Sequence, residues 1–289
     1  MGALDYVSPD ATLVTAFVVK NPAAIVDETV ALAQRSPAGA AKLIADARQQ
    51  AGFDVRGDLA ASLGGEFAVV LDGPAFPVPS WKLVAEVYDP TRFETTVQKV
   101  VEAYNREAAK SGGKPLRTSQ ETADGHTYYM LAAGDPNPLT EAHYTFADGY
   151  LIAAPTRALV ARALQVKAAG ISIARSANFL SMEPRDGHVN FSAVVYQNLG
   201  TTLAPLAGLL DAFGRGGQGR QNPLQDLGNL KPSLIAAYGE PDRITVASNK
   251  NVLGKSVTDL LSGNLVGIAG SALPFSQLMG TRRPQPAFR

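Results

Sequence analysis

The chain has 289 residues, 46% of them hydrophobic and 18% charged, with Lys+Arg 26 balanced by Asp+Glu 26. That allows one large or two modest domains with a sizeable core, and it provides no basic excess of the kind that displaces counterions from nucleic acid. Cysteine is absent, which excludes disulfides, thiolate metal sites and cysteine nucleophiles and leaves the compartment open.

Met1 to Ser8 lacks the basic start and apolar run of a signal peptide, so the chain reads as cytoplasmic or as one whose leader precedes this start. Asp10 to Lys20 alternates, with Leu13, Thr15, Phe17 and Val19 on one side, and predicts a half-buried strand. Asn21-Pro22 opens a helix, with Asn as cap and Pro at the first helical position. Ser36-Pro37 repeats the device for a second helix carrying Ala40, Leu43, Ile44 and Ala47 up to Gly52. Asp58 to Leu63 predicts a short helical turn leading into Gly64-Gly65.

Two strands, Phe67 to Leu71 and Trp81 to Tyr88, flank a loop with Pro74, Pro77 and Pro79. Prolines cannot donate to a ladder, so the loop reads as a long connection, with a binding loop as its alternative. Asp89-Pro90 opens a helix with Phe93, Val97, Val101 and Tyr104 at helical spacing, ended by Ser111 to Pro115. Leu116 to Thr122 and His126 to Ala132 form a hairpin around Asp124-Gly125, and Tyr128-Tyr129 puts one ring on each face of its strand.

The clearest unit is His143 to Lys167. Tyr144 to Phe146 and Tyr150 to Ala153 are joined by Ala147-Asp148-Gly149, and Thr156 caps a helix with Leu159, Ala163 and Val166 in one stripe. Residues 234 to 261 repeat the pattern: strands Leu234 to Tyr238 and Ile244 to Val246, then Asn249 and a helix with Leu253, Val257 and Leu260. Residues 67 to 104 give a looser copy, and a strand-then-helix unit occurs at Asp10 to Gln34 and again at Asp186 to Phe213. The Pro184-to-Gly187 turn divides the chain into a first half, 1–183, and a second, 184–280, followed by a disordered tail, 281–289. Leu265 to Phe275 is too short, and too interrupted by Pro274, for a membrane helix.

Two strings imitate nucleotide motifs. Gly214 to Gly219 fits GxGxxG but follows a helix and precedes Gln221-Asn222-Pro223, without the strand-to-helix turn that a pyrophosphate needs. Asn249 to Ser256 is a Walker-like string lacking its first Gly, and the Leu253–Val257 stripe starts the helix before Gly254, so its amides are already engaged. His126, His143 and His188 sit singly at strand starts without ligand spacing, and no GxSxG or HExxH occurs. No catalytic, cofactor-binding or metal residues are therefore assigned, and neither metal nor nucleotide is expected.

Three segments carry a family likeness: Tyr6-Val7-Ser8-Pro9-Asp10-Ala11, Leu63 to Leu71 (LGGEFAVVL) and Asp148 to Ala154 (DGYLIAA). With them the chain, from Tyr6 to about Leu261, resembles the bacterial domain-of-unknown-function family 3352. That resemblance implies an uncharacterised protein of the cell envelope, behind an N-terminal signal or anchor that this chain does not show. It supplies no functional residues.

The fold expectation is α+β: twisted antiparallel sheet built from hairpins, helices on one face, approximate internal duplication, and a second face that is wet or lines a cavity. Two functions fit this pattern, both non-enzymatic. One is an extracytoplasmic or periplasmic domain that binds a protein partner or scaffolds the envelope. The other is a carrier of an apolar, lipid-like ligand in a sheet–helix cavity. A hydrolase whose residues meet only in three dimensions is the third possibility.

Overall fold

A computed structural model describes residues 1–35, 54–73, 78–134, 137–184, 190–198, 231–239 and 242–248. The second predicted helix (36–52), His188, both nucleotide-like strings, the Leu253 helix, the 265–275 stretch and the tail lie outside the described residues. So does most of the proline loop and the Pro184-to-Gly187 turn.

The described strands form one ten-stranded sheet. In chain order they are β1 (Leu13–Val18), β2 (Leu63–Leu71), β3 (Trp81–Val87), β4 (Leu116–Ala123), β5 (His126–Ala133), β6 (Glu141–Ala147), β7 (Tyr150–Ala154), β8 (Ala193–Gln197), β9 (Ser233–Gly239) and β10 (Ile244–Ser248). Across the sheet they run β10-β9-β8-β1-β2-β3-β7-β6-β5-β4, and every neighbouring pair is antiparallel. The α+β fold is thus as the alternation in the sequence requires. The strands on either side of the expected 183/184 boundary share this sheet, because β8 pairs with β1.

Outward from the β8–β1 contact the order is β8-β9-β10 on one side and β1-β2-β3 on the other. In strand order the counterpart of the β9–β10 hairpin is therefore β2–β3, and the β6–β7 hairpin used as its template in the sequence lies elsewhere in the sheet. The helix that would complete the comparison lies outside the described residues.

Both tight hairpins form as their Asp-Gly pairs require. Asp124 and Gly125 have φ of 52° and 77°, and Asp148 and Gly149 have 48° and 81°, the double positive φ that matches strand twist. Three helices start where the caps predict: α1 (Pro22–Arg35), α2 (Pro90–Ser111) and α3 (Arg157–Ala169). Asn21 Oδ1 accepts from Ala23 N, Asp89 from Arg92 N and Thr156 from Leu159 N. A short fourth helix, α4 (Ala177–Met182), is capped by Ser176. Asp54 caps a π-turn at Val55–Leu59 that a 3-10 turn at Ala60–Ser62 continues, so the helical turn expected over Asp58 to Leu63 forms but starts three residues earlier.

The helices lie on both faces, where one face was expected. On the first, Ala236, Val194, Ala16, Ala68, Val84, Ile152, Thr145 and Tyr128 form one cross-strand row, none more than 3% exposed. This sealed face is closed by the N-terminal turn Gly2–Tyr6, by Val160 and Ala163 of α3 and by Phe179 and Met182 of α4. The opposite face carries Phe67, Trp81, Leu83, Tyr129, Tyr144 and Phe146, only partly buried apart from Tyr144, with Phe93 of α2 packed against them. The bulky residues of β1 face this open side, while Val14 and Ala16 enter the sealed core. The sequence pattern set two faces apart but not which of them α1 and α2 would cover.

Candidate functional site

The structure brings together a Ser, an Asp and a Lys that the sequence analysis left unassigned. Ser8, Asp72 and Lys82 are each about 1% exposed. Lys82 Nζ donates to Asp72 Oδ2 at 2.5 Å and to the Tyr6 carbonyl at 2.8 Å. Ser8 Oγ donates to Asp72 Oδ1, and Ser8 N donates to Asp72 Oδ2 at 3.1 Å. Burial pushes the Asp72 carboxyl up, but the Lys82 ammonium and the two Ser8 donors outweigh it and hold the group below the usual carboxylate range. A nucleophilic Ser would instead offer its proton to a neutral base at a site open to substrate. Here the serine is committed to a carboxylate, the lysine donates to Asp72 and the Tyr6 carbonyl while burial, opposed by Asp72, pulls its ammonium below the usual range, and no member reaches the surface. The trio fastens the N-terminal turn to the sheet. Sequence carried a signal for it: Asp72 keeps the inward phase of Ala68 and Val70, and Lys82 that of Val84, which places two charges where apolar residues belong.

The three segments of the family likeness meet beside this trio. In the LGGEF stretch the β2–β3 register shifts between Leu63 and Phe67, and Glu86 Oε2 accepts from the amides of Gly65 and Glu66. A Cβ at Gly65 would lie 2.3 Å from the Val19 carbonyl oxygen, so only glycine permits that approach. Glu66 accepts from Ala3 N at 2.5 Å and from Tyr150 Oη at 3.4 Å. Tyr6 Oη donates to the Ala147 carbonyl and accepts from Lys167 Nζ at 2.7 Å, while Lys167 pairs with Asp148 at 2.9 Å. Burial, with the neighbouring Glu66 and Glu86 carboxylates, pushes the Tyr150 phenol well up, so it stays a donor. These polar groups answer one another and form a clasp.

Among the described residues, two pockets lie on the open face. The larger, about 300 Å³, lies between β1, β2, α1 and the π-turn. Its floor is Phe17 and Phe67, directly opposite across the β1–β2 ladder, with rings stacked at 5.5 Å. Ile25 and Val26 of α1 form one wall, and Val55 and Leu59 the other. Every described residue that lines it is apolar. Its shape follows from the local sequence: the Asn21-Pro22 cap turns the chain back over β1, and the Asp54 cap brings Val55 and Leu59 alongside.

The smaller pocket, about 230 Å³, lies between α2 and β4–β6. Tyr144 Oη donates to Glu94 Oε2 at 2.6 Å, Gln98 Nε2 donates to Glu94 Oε1 at 2.7 Å, and the Tyr129 and Tyr144 rings stack at 5.0 Å. Burial and the Glu94 carboxylate push the Tyr144 phenol far up. Tyr128 and Tyr129 do take opposite faces: Tyr128 enters the sealed core and Tyr129 lines this pocket. Glu94, Gln98 and Tyr144 thus bond to one another within the pocket wall.

His126 begins β5, and His143 lies inside β6, 3.4 Å from Glu141. Among the described residues no group of three or more His, Asp or Glu side chains is placed to hold a metal ion. No described helix is long and apolar enough to cross a membrane. Compared with known protein families, with curated proteins and with solved structures, the chain finds no match.

Proposed function

We propose that the protein is a non-enzymatic binding protein that takes up an apolar, lipid-like small molecule in the pocket between α1 and the open face of the sheet. The observation that carries this is the pocket's composition: about 300 Å³ with an entirely apolar described lining over a stacked Phe17–Phe67 floor. That volume is at the lower end of the ~300–1,000 Å³ of ligand pockets, and such a lining favours ligands by burial of surface rather than by hydrogen bonding. The Ser8–Asp72–Lys82 trio, the polar group that most resembles a hydrolase site, is turned inward and fully engaged, which supports a non-catalytic reading.

A protein-binding or scaffolding domain was the other expectation; the concave, apolar pocket favours a carrier over it. Convergence of the three likeness segments on Tyr6 and Glu66 supports reading them as one structural motif.

The test is a titration with N-phenyl-1-naphthylamine, whose fluorescence rises in apolar surroundings. Wild type is expected to give saturable enhancement. Ile25→Glu sets a carboxylate on the pocket wall at a position 46% exposed, where the fold tolerates it, and is expected to lose most of the signal. Equal enhancement by both proteins would refute the assignment.

A further inference from the structure

We propose that the free edge of the sheet is a self-recognition surface, through which β4 pairs antiparallel with β4 of a second copy of this chain. Among the described residues β4 is the last strand and has only β5 beside it. It pairs with β5 over all eight residues without a bulge, and Arg117 to Thr122 are six consecutive exposed residues. Asn105 of α2 already bonds the amide and carbonyl of Leu116, so the exposed run from Arg117 to Thr122 is the part of the edge open to another strand.

What selects a second copy is the order of charges along the edge. Arg117 lies two residues before Ser119, and Glu121 lies two residues after it. In an antiparallel pairing centred on Ser119, each residue meets the one as far on the other side. Arg117 then faces Glu121 of the second copy, and Thr118 faces its Gln120. The two-fold doubles this contact, giving two opposite-charge pairs along one strand pair. Shifting the centre to Thr118 or Gln120 sets Arg117 and Glu121 against Ser119, Ala123 or Pro115, and a parallel in-register pairing sets Arg117 against Arg117. Cross-strand pairs favour opposite charges and penalise like ones, so the edge selects this one register. The result is an isologous contact that extends the ten-stranded sheet across a two-fold axis. In the single chain Arg117 donates to the Gly134 carbonyl and Glu121 pairs with Arg157, contacts that pairing with a second copy exchanges for the Arg117–Glu121 pairs. A single strand pair is a small interface, so the dimer forms at high concentration and weakens with salt.

Absence of native cysteine makes the register directly testable. In the proposed pairing Ser119 faces Ser119 across the axis, within the Cα separation that a disulfide spans. Full-length Ser119→Cys under mild oxidation is expected to give a crosslinked dimer of twice 30.3 kDa, at least ten times faster than Thr122→Cys, whose counterpart would be Leu116. Sedimentation velocity gives the second arm. Wild type should rise from monomer toward dimer mass between micromolar and millimolar concentration, Arg117→Glu or Glu121→Arg alone should stay monomeric, and the double swap should dimerise again. These positions are exposed, and circular dichroism confirms that each variant is folded. Equal crosslinking at 119 and 122, a wild type that is monomeric throughout, or a double swap that behaves like the single variants would overturn the proposal.

Discussion

Breaking the buried Asp72–Lys82 pair from one side is expected to destabilise the protein strongly. Lys82→Met removes an ammonium in a site 1% exposed, together with its bonds to Asp72 and to the Tyr6 carbonyl. Asp72 keeps the two Ser8 donors but loses its counter-charge where water does not reach. Removing one partner of a buried pair costs about 3–5 kcal/mol, of which about 1 is the lost bond to Tyr6. At roughly 2–4 °C per kcal/mol for a chain of this order of size, the midpoint should fall by about 6–20 °C. Asp72→Asn should cost a similar amount, since it leaves the ammonium facing a neutral amide. The double variant leaves no buried charge, so its loss should fall short of the sum of the singles by at least about 1 kcal/mol. Urea unfolding followed by circular dichroism, with m-values compared, measures all three. A Lys82→Met loss below about 1 kcal/mol, or strict additivity, would show that the pair does not hold the N-terminal turn in place.

The same pair predicts an acid limit. The folded pKa of Asp72 is depressed, so its stabilisation is present above the unfolded carboxylate value of about 4 and is lost as pH falls through the lower folded value; midpoints measured below pH 4 should decline less in Asp72→Asn than in wild type. Gly149→Val should cost roughly 1–3 kcal/mol in thermal unfolding, because φ is 81° and nothing lies within 4 Å of the added Cβ, so the whole effect is backbone strain. On α3, Val160 is fully buried and Leu159 only partly, so Leu159→Ala should fall below the ~2–5 kcal/mol of a buried leucine; a loss inside that range would put Leu159 in the core.

How far the sequence reached is clearest in particular elements. Asp124-Gly125, Asp148-Gly149, Asn21-Pro22 and Asp89-Pro90 act through local backbone chemistry, and each produced its turn or helix start where read. On α3 Ala163 and Val166 are buried as the stripe requires, and only its first place differs, with Val160 buried where the reading has Leu159, because two adjacent apolar residues fit the same period. Tyr104, placed in the stripe of α2, is 44% exposed, while Val101 and Ala108 on either side of it are the buried residues of that half of the helix. Strand order was not legible, because pairing of β1 with β8 joins residues about 180 apart and no local signal encodes it. The Phe17–Phe67 floor was legible only as two outward phases of separate strands. Its conversion to a pocket depends on how α1 and the π-turn lean over it. Asp72 and Lys82 were legible in phase, as charges on inward positions, and were passed over.

Methyl NMR during titration with a short-chain fatty alcohol tests the proposed carrier function most directly. The account predicts saturable shifts at the Val19, Ile25, Val26, Val55, Leu59 and Leu63 methyls around the open pocket, with the sealed-face methyls of Val14, Val70, Val84 and Ile152 unmoved. Absence of shifts at the pocket methyls, or shifts equally large in the sealed core, would contradict it.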